Sequence, residues 1–567
     1  MRGTSLRKIY SARHALVAVG VVAATSPLLL RAQSAPMRSA IGIGSPVLLG
    51  SEAEERLRLE SLRRRATAAE RESARDLSIV FSTVRSASVL TSLARPRAPR
   101  RFAFDVLAPE VRTVHNSGLP FSINEGPLWA ARGTNTIATA GVALRIGPLS
   151  AQIAPQYIRS ENRRFQVIPY PQGNVPARNV WANPFHPPAS SIDLPLRFGD
   201  GPIERVVPGQ SRVALELPLI SVGASTENVW WGPTLRNPIL LGANAEGFPH
   251  LLAETRQGIA TPVGRLHAVG MLGRLRESAY FDANPSNDVR SLSGMLFAWT
   301  PWFDQAFTIG VARLVMSTTT GQVPIRHAAN AFLKVSQPIL SDPNASVTTP
   351  RRDQIATLFA RYAIPSVGTE AWAEWARFAE PVSLRDALEY PGYSFGFTAG
   401  LQWARPLGGS RLLRLQGEAT NLEPDASIRV RPVATTYTSR TVLQGFTNGG
   451  RTIGAPIGPG SSSQWAAADI LSDRIRIGIY GGRIRWDNAT LWDPAVPQLK
   501  LEDVSLLGGV RGSVSLSRIR LGVEYTSAVR LSYLYQSKLL DPARGTNGGV
   551  DLANRTLAVT LSTAVGR

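Results

Sequence analysis

Ile519-Arg520-Leu521-Gly522-Val523-Glu524-Tyr525 places an apolar residue at every odd number and a charged residue or glycine at every even one. Successive side chains of an extended strand point to opposite faces, so this run makes a ribbon with one hydrocarbon face and one ionic face. Leu413-Arg414-Leu415-Gln416 and Ile475-Arg476-Ile477-Gly478-Ile479 repeat the pattern. Val529, Leu531, Tyr533 and Tyr535 read as one face of a further strand, with Arg530, Ser532 and Gln536 opposite. A two-sheet sandwich also alternates, but it turns its polar faces to water and its apolar faces to a core. Here the segments recur from about Asn135 onward, follow a leader, and carry arginine, glutamate and glutamine on their polar faces. That combination points to a transmembrane antiparallel β-barrel with lipid outside and a polar lumen.

The rest of the chain fits this class. Of 567 residues, 44% are hydrophobic and 18% charged, which suits neither a disordered chain nor a helical membrane protein. Residues 1–34 read as a secretory signal: Arg2, Arg7, Lys8 and Arg13 precede an apolar run, and small residues follow at Ala32 and Ser34. Cysteine is absent, so the exported fold must close by hydrogen bonding and burial alone. The formal charge is +21, carried almost wholly by arginine, since Lys8, Lys334, Lys500 and Lys538 are the only lysines. An exported cation of this size suits an acidic glycan, or outer-membrane lipid and lipopolysaccharide, better than nucleic acid. A monomer is expected.

Between the leader and the strands, residues 35–100 read as a helical segment with a Pro/Arg-rich connection. Ser51-Glu52-Ala53-Glu54 matches a capping box. Leu59, Leu62, Ala66 and Ala69, then Leu77, Val80, Phe81 and Val84, recur at helical spacing, predicting two amphipathic helices. Residues 101–567 then form the barrel. Ile146-Gly147-Pro148-Leu149 and Thr300-Pro301-Trp302-Phe303-Asp304 read as hairpin turns, with Trp302 and Phe303 suited to a membrane interface. The proline-rich stretch 169–208 lacks strand period and reads as a long loop.

The richest polar stretch is "STENVWWGPTLRNPILLGANAEGFPH", Ser225 to His250. Continuing the parity of Ile220, Val222 and Ala224 puts Glu227 and Trp231 in the lumen and Trp230 outward, as an interfacial anchor. A flat indole can cover the C–H face of a sugar, and asparagine amides can meet hydroxyls, so Trp231, Glu227, Asn237 and Asn244 are glycan-binding candidates. The two asparagines fit turn-capping beside Pro238 and Gly247 equally well. Arg414, Arg476, Arg520 and Arg530 lie on polar strand faces and can attract uronate or phosphate, or pair with lumen carboxylates such as Glu418 and Glu524. Glu227 and Glu246 raise a glycosidase reading, but no feature argues that one carboxylate is desolvated and the other ionised, so no enzyme is expected. His250 and His267 lack metal-ligand spacing, and no metal or cofactor is expected.

Several of these blocks also carry a resemblance. Glu227-Asn228, Trp230-Trp231-Gly232-Pro233, Asn237-Pro238, Asn244 and Gly247-Phe248-Pro249-His250 are similar to the signature of the capsule assembly Wzi family of outer-membrane proteins. Pro208-Gly209-Gln210-Ser211, Tyr280-Phe281-Asp282, "DQIATLFARYAIPSVGTEAWAEWARF", Leu384-Arg385-Asp386 and "GRTIGAPIGPGSSSQW" agree in order along the chain. The resemblance implies a barrel of about 18 strands, a helical segment at its periplasmic end, and a lectin that holds capsular polysaccharide on the cell surface. The final strand, Thr556 to Val565, departs from the common outer-membrane pattern by lacking a terminal aromatic. Two functions follow: a non-catalytic protein anchoring capsular or other extracellular polysaccharide, or a pore for anionic solutes or saccharides.

Overall fold

The computed structural model describes residues 46–62, 76–94, 102–167, 192–333, 335, 351–379, 384–389, 392–425, 435–492, 501–517, 519–535 and 550–563. The leader, Ala66, Ala69, Gln536 and the Pro/Arg-rich connection lie outside the described residues, as does 168–191 of the proline-rich stretch. Eighteen antiparallel strands close into a barrel. Three are interrupted: Leu149–Ile153 continues as Gln156–Ser160, Ile203–Val207 as Arg212–Glu216, and His250–Thr255 as Ile259–Thr261. Closure comes from Phe102–Asn116, which pairs with Gly133–Ile146 on one side and with the last strand, Leu552–Thr563, on the other. No helix among the described residues is long and apolar enough to cross a membrane.

The alternation that decides the fold is visible in the strand Ile519–Leu531. Ile519, Leu521, Val523 and Tyr525 are 37–46% exposed on the outer wall, whereas Arg520 and Glu524 line the lumen. Neighbouring strands continue the apolar band with Ile477, Ile479, Val510, Leu557 and Leu561. An exposed belt of this kind is unfavourable in water and requires hydrocarbon around it.

The connections differ at the two ends. Eight are short, such as Ile146 to Leu149, where Gly147 takes φ 54°, and Pro301 to Phe307. Nine are long, including 117–132, 161–202, 226–249 and 422–461, and both ends of the barrel sheet lie on the short-turn side. The proline-rich loop therefore ends earlier than the sequence predicts, because Ile203–Val207 pairs with Gln156–Ser160 as wall. The strand after Ile519 also ends earlier: Leu531 is its last residue, and Ser532, Leu534 and Tyr535 take positive φ. Tyr533 and Tyr535 thus fold inward and are buried, instead of extending the outer face of Val529 and Leu531.

The N-terminal segment occupies the lumen. Helix Glu52–Ser61 starts at Ser51, whose hydroxyl accepts the Glu54 N–H at 3.3 Å, while the Glu54 carboxylate accepts the Gly50 N–H at 2.6 Å. A second helix passes through Leu77, Val80 and Phe81, but Val84 departs from the helical expectation. It opens the short strand Val84–Ser86, which leads into helix Ala87–Leu93. Val47, Leu57, Leu77, Val80, Phe81 and Leu90 give this plug a small core of its own.

Candidate functional site

Beyond Ser225 the chain leaves the wall. Val229–Trp231 turns into the lumen and pairs with Val84–Ser86, with Arg85 opposite Trp230. Gly232 makes the exit bend at φ 87°, in the left-handed region that glycine enters without steric cost. Trp230 is buried, with the Arg85 guanidinium 4.8 Å above its ring and its indole N–H donated to Thr234 Oγ1 at 3.2 Å. It does not face lipid: the parity count ran through Thr226–Asn228, where the strand has already ended. Trp231 is completely buried in an apolar cluster with Met271, Leu292 and Leu314, so its ring offers no face to a sugar.

The polar candidates of that stretch hold the plug and the lumen loops. Glu227 accepts from the Ser88 N–H at 2.6 Å and the Ser88 hydroxyl at 2.8 Å, at the start of helix Ala87–Leu93. Burial pushes its carboxyl above the usual range despite these bonds and the nearby Arg212. The Asn237 amide donates to Ser463 Oγ at 3.0 Å, and the N–H groups of Leu235, Arg236 and Asn237 converge on Glu418 at 2.6–3.0 Å. Asn244 donates to the hydroxyl and carbonyl of Thr452 at 2.8 and 3.0 Å, and Glu246 pairs with Arg205 at 2.7 Å.

All four lumen arginines have partners inside the protein. Arg414 donates to Gln402 and Glu55, each at 2.6 Å. Arg476 pairs with Glu55 at 2.7 Å and Asp469 at 3.1 Å. Arg530 grips both oxygens of Asp503 at 2.7 Å. Arg520 donates to Ser515 at 3.1 Å and lines a lumen cavity. Burial alone would raise the Glu55 carboxyl, but Arg476, Arg414 and Arg511 hold it well below the usual range. Deeper in the lumen, Glu370 binds Arg58 of the plug at 2.6 Å and Arg361 of the wall at 2.7 Å. Arg58 also donates to the Pro233 carbonyl at 2.6 Å, joining plug, wall and lumen loop. Trp302 and Phe303 are exposed on the short-turn side, with ring centroids 5.9 Å apart.

The loop side assembles a surface that sequence reading missed. Trp129, Phe198 and Tyr280 come from three different long connections and stack edge-on in a row, at 4.9 and 6.0 Å between centroids. All three are half-buried. Asn162 holds the Phe198 turn by donating to the carbonyls of Phe198 and Gly199 at 2.9 and 3.1 Å. Beside the row, Asp200 receives Arg197 at 2.8 Å, and Arg164 lies 3.7 Å away. Arg164, Arg276, Arg326 and Arg351 are exposed on the loop side. Below the rim, Asp193 accepts both the N–H and the hydroxyl of Ser278. Burial pushes the neighbouring Glu277 carboxyl up to about 7, with Gln444 donating to it at 2.5 Å. Tyr280-Phe281-Asp282 was visible as a motif, but its aromatic partners lie over 80 residues away in sequence, beyond any local pattern.

This architecture, an 18-strand closed barrel with an apolar exterior and a plugged lumen, is that of the outer-membrane β-barrels. Its fold is similar to that of Wzi of Escherichia coli, an outer-membrane protein involved in group 1 capsule assembly and a carbohydrate-binding β-barrel. The match has a TM-score of 0.53 at 10% identity, and covers 94% of this chain and 99% of Wzi. OccK5 (OpdH) of Pseudomonas aeruginosa aligns at a TM-score of 0.36 and 9% identity, over 82% of this chain and 98% of its own. Neither a family model nor a curated relative matches the sequence.

Proposed function

We propose that this protein sits in the outer membrane of a Gram-negative bacterium after removal of residues 1–34, and there binds and anchors an acidic capsular or other extracellular polysaccharide without covalent chemistry. The observation that carries this reading is the filled lumen. Helix Glu52–Ser61, the short sheet of Val84–Ser86 with Val229–Trp231, and the loops through Leu240 and Phe446 occupy the space a solute would need. A protein built to pass solutes keeps such a path open. With its short turns toward the periplasm, the long connections face outward and present Trp129, Phe198 and Tyr280 beside exposed arginines. Aromatic rings take the apolar faces of sugars, guanidinium groups take carboxylates, and repetition along a polymer multiplies weak contacts into avidity. The fold of a carbohydrate-binding barrel such as Wzi is compatible with this use but does not by itself assign it.

The direct test is deletion of the gene, followed by comparison of cell-bound with shed polysaccharide. Loss of retention, restored by the wild-type gene but not by a Trp129→Ala/Tyr280→Ala double variant, is expected. Unchanged retention on deletion overturns the anchoring role. Single-channel recording in a planar bilayer addresses the pore reading, and a large steady conductance from the intact protein would decide for it.

A further inference from the structure

A second feature lies at the opposite end of the barrel and belongs to a different part of the interior. Between the plug and the wall is a cavity of about 1420 Å³, lined by nine arginines and seven carboxylates. It exceeds the roughly 300–1,000 Å³ of a small-molecule pocket. Its lining runs from the short turns, through Gly409, Ser410, Ser472 and Asp473, up to a roof made by Phe121–Pro127 and Ala243. It is therefore approached from the short-turn side, away from the aromatic row.

Most of its charges are already satisfied. Arg112 grips Glu125 with two bonds of 3.0 and 2.9 Å, Arg511 grips Asp469 at 2.8 and 2.6 Å, and Glu55 takes Arg414 and Arg476. Arg236 differs. Its guanidinium lies 4.5 Å over the Trp465 ring and makes no hydrogen bond or ion pair to the described residues. Its backbone is fixed, because the Arg236 N–H and its neighbours are clamped on Glu418. Glu418 and Glu524 are the carboxylates nearest in charge; the first is occupied by those backbone donors and by Trp372, and the second faces Tyr480. Stacking on an indole fixes the guanidinium plane and leaves its in-plane donors open, which is the geometry that receives a carboxylate through two parallel bonds. The neighbouring amides are already used inside the protein, Gln156 on Thr139, Gln210 on Gln156 and Asn228, Asn228 on Ala245 and Gln416 on Gln402, so Arg236 is the group with donors to offer.

We propose that this cavity is a binding site for an acidic oligosaccharide entering from the short-turn side, with Arg236, stacked on Trp465, receiving the carboxylate of a uronate residue. The site is separate from the loop-side surface. A barrel with both would engage the same class of polymer at its two ends, one outside the membrane and one inside.

The experiment is titration of the purified, detergent-held protein with trigalacturonate, read by tryptophan fluorescence and calorimetry. Saturable binding is expected, weakened at least about tenfold by Arg236→Gln, the order expected for losing a charge-assisted hydrogen-bond pair. Arg236→Lys keeps the charge but not the fork and should fall between, while heat-modifiable gel mobility reports that each variant is folded. Because the chain has no cysteine, a single one can be labelled uniquely. A polyethylene-glycol maleimide on Ser410→Cys should block binding, and the same label on loop-side Ser286→Cys should not. Equal affinity in folded R236Q, blockage from Ser286 instead of Ser410, or competition by inorganic phosphate as strong as by the uronate would each overturn the proposal. The titration uses only purified protein, so its failure leaves the retention experiment standing, and the reverse also holds.

Discussion

The two halves of the lumen are filled by opposite physics. Against the wall strands between His250 and Arg377, the interior is mostly apolar around a few buried charges such as Arg290, Arg361 and Glu370: Leu240, Leu241 and Phe248 of one lumen loop and Tyr437 and Phe446 of another pack on Leu292, Leu314 and Phe359. Against the strands Phe102–Asn116, Arg411–Asn421, Ile475–Arg485 and Ile519–Leu531, the interior is ionic and encloses the cavity. The apolar half draws its stability from area removed from water. The ionic half draws its order from paired charges such as Arg112 with Glu125 and Arg511 with Asp469, and holds Arg236 over Trp465 without an ion pair to the described residues. One barrel thereby separates a rigid filling from a site.

The largest effect is expected where the two halves meet. Glu370 is fully buried between Arg58 of the plug and Arg361 of the wall, and the Arg58 guanidinium also lies 4.8 Å over Trp372. Glu370→Ala leaves two buried cations without a counter-charge, a change that costs about 3–5 kcal/mol. Heat-modifiable mobility on gels should show unfolding at a clearly lower temperature, with the plug becoming protease-sensitive first. An unchanged plug would mean that the apolar half alone holds it.

Next in size is a change inside the apolar half. Leu240→Ala removes a fully buried side chain from the lumen loop, for an expected loss of about 2–4 kcal/mol by transfer and cavity terms. Trigalacturonate affinity should stay the same, because Arg236, on the same loop, is held in place by the clamp of its backbone on Glu418 and not by Leu240. A loss of affinity matching the loss of stability would show that the halves are one unit.

How much of this was legible in the sequence follows from the same contrast. The alternation through Ile519–Tyr525 was readable because lipid and lumen impose a period of two on every wall strand, independent of its partners. The turns Ile146-Gly147-Pro148-Leu149 and Thr300–Asp304 were readable for local reasons as well. The use of an inward side chain was not. Arg58 meets Glu370 across 312 positions, and Arg414 meets Glu55 across 359, so residues that look like free cations in their own strands are neutralised by a plug that threads in from the N-terminus. Trp230 was misplaced for a related reason: parity carries information only while the chain stays in the wall, and Asn228 already donates to the Ala245 carbonyl inside the lumen. Arg236 was overlooked because it lies on no alternating strand.

A third, smaller effect isolates the ionic half. Glu55→Gln removes the charge shared by Arg414, Arg476 and Arg511, and should cost about 1.5–3 kcal/mol, the range for hydrogen bonds to charged groups. The sign with pH follows from its lowered carboxyl: the contribution is complete above the ordinary glutamate range and disappears as pH falls through the still lower folded value. Between neutrality and about pH 5, wild-type protein and variant should therefore keep a constant difference in midpoint, which closes only in strong acid.

The smallest effect is at the loop side, and it has the opposite sign. Glu277 sits beyond the end of the strand Gly264–Arg276, where burial first, and then Asp282 and Asp193, push its carboxyl up to about 7, against Gln444 and Arg290. A carboxyl whose folded value is raised binds its proton more tightly in the native state, so its contribution is present below the ordinary glutamate range and is lost as pH rises toward 7. The connection 277–288 should consequently loosen between about pH 4.5 and 7, seen as faster amide exchange at Ser278 and Tyr280, and Glu277→Gln should flatten that dependence. Since Tyr280 ends the aromatic row, glycan retention should weaken slightly over the same window in wild type and not in the variant. A pH dependence that survives Glu277→Gln would move the titrating group to Asp193, which accepts the same Ser278 and carries a carboxyl that burial also pushes up.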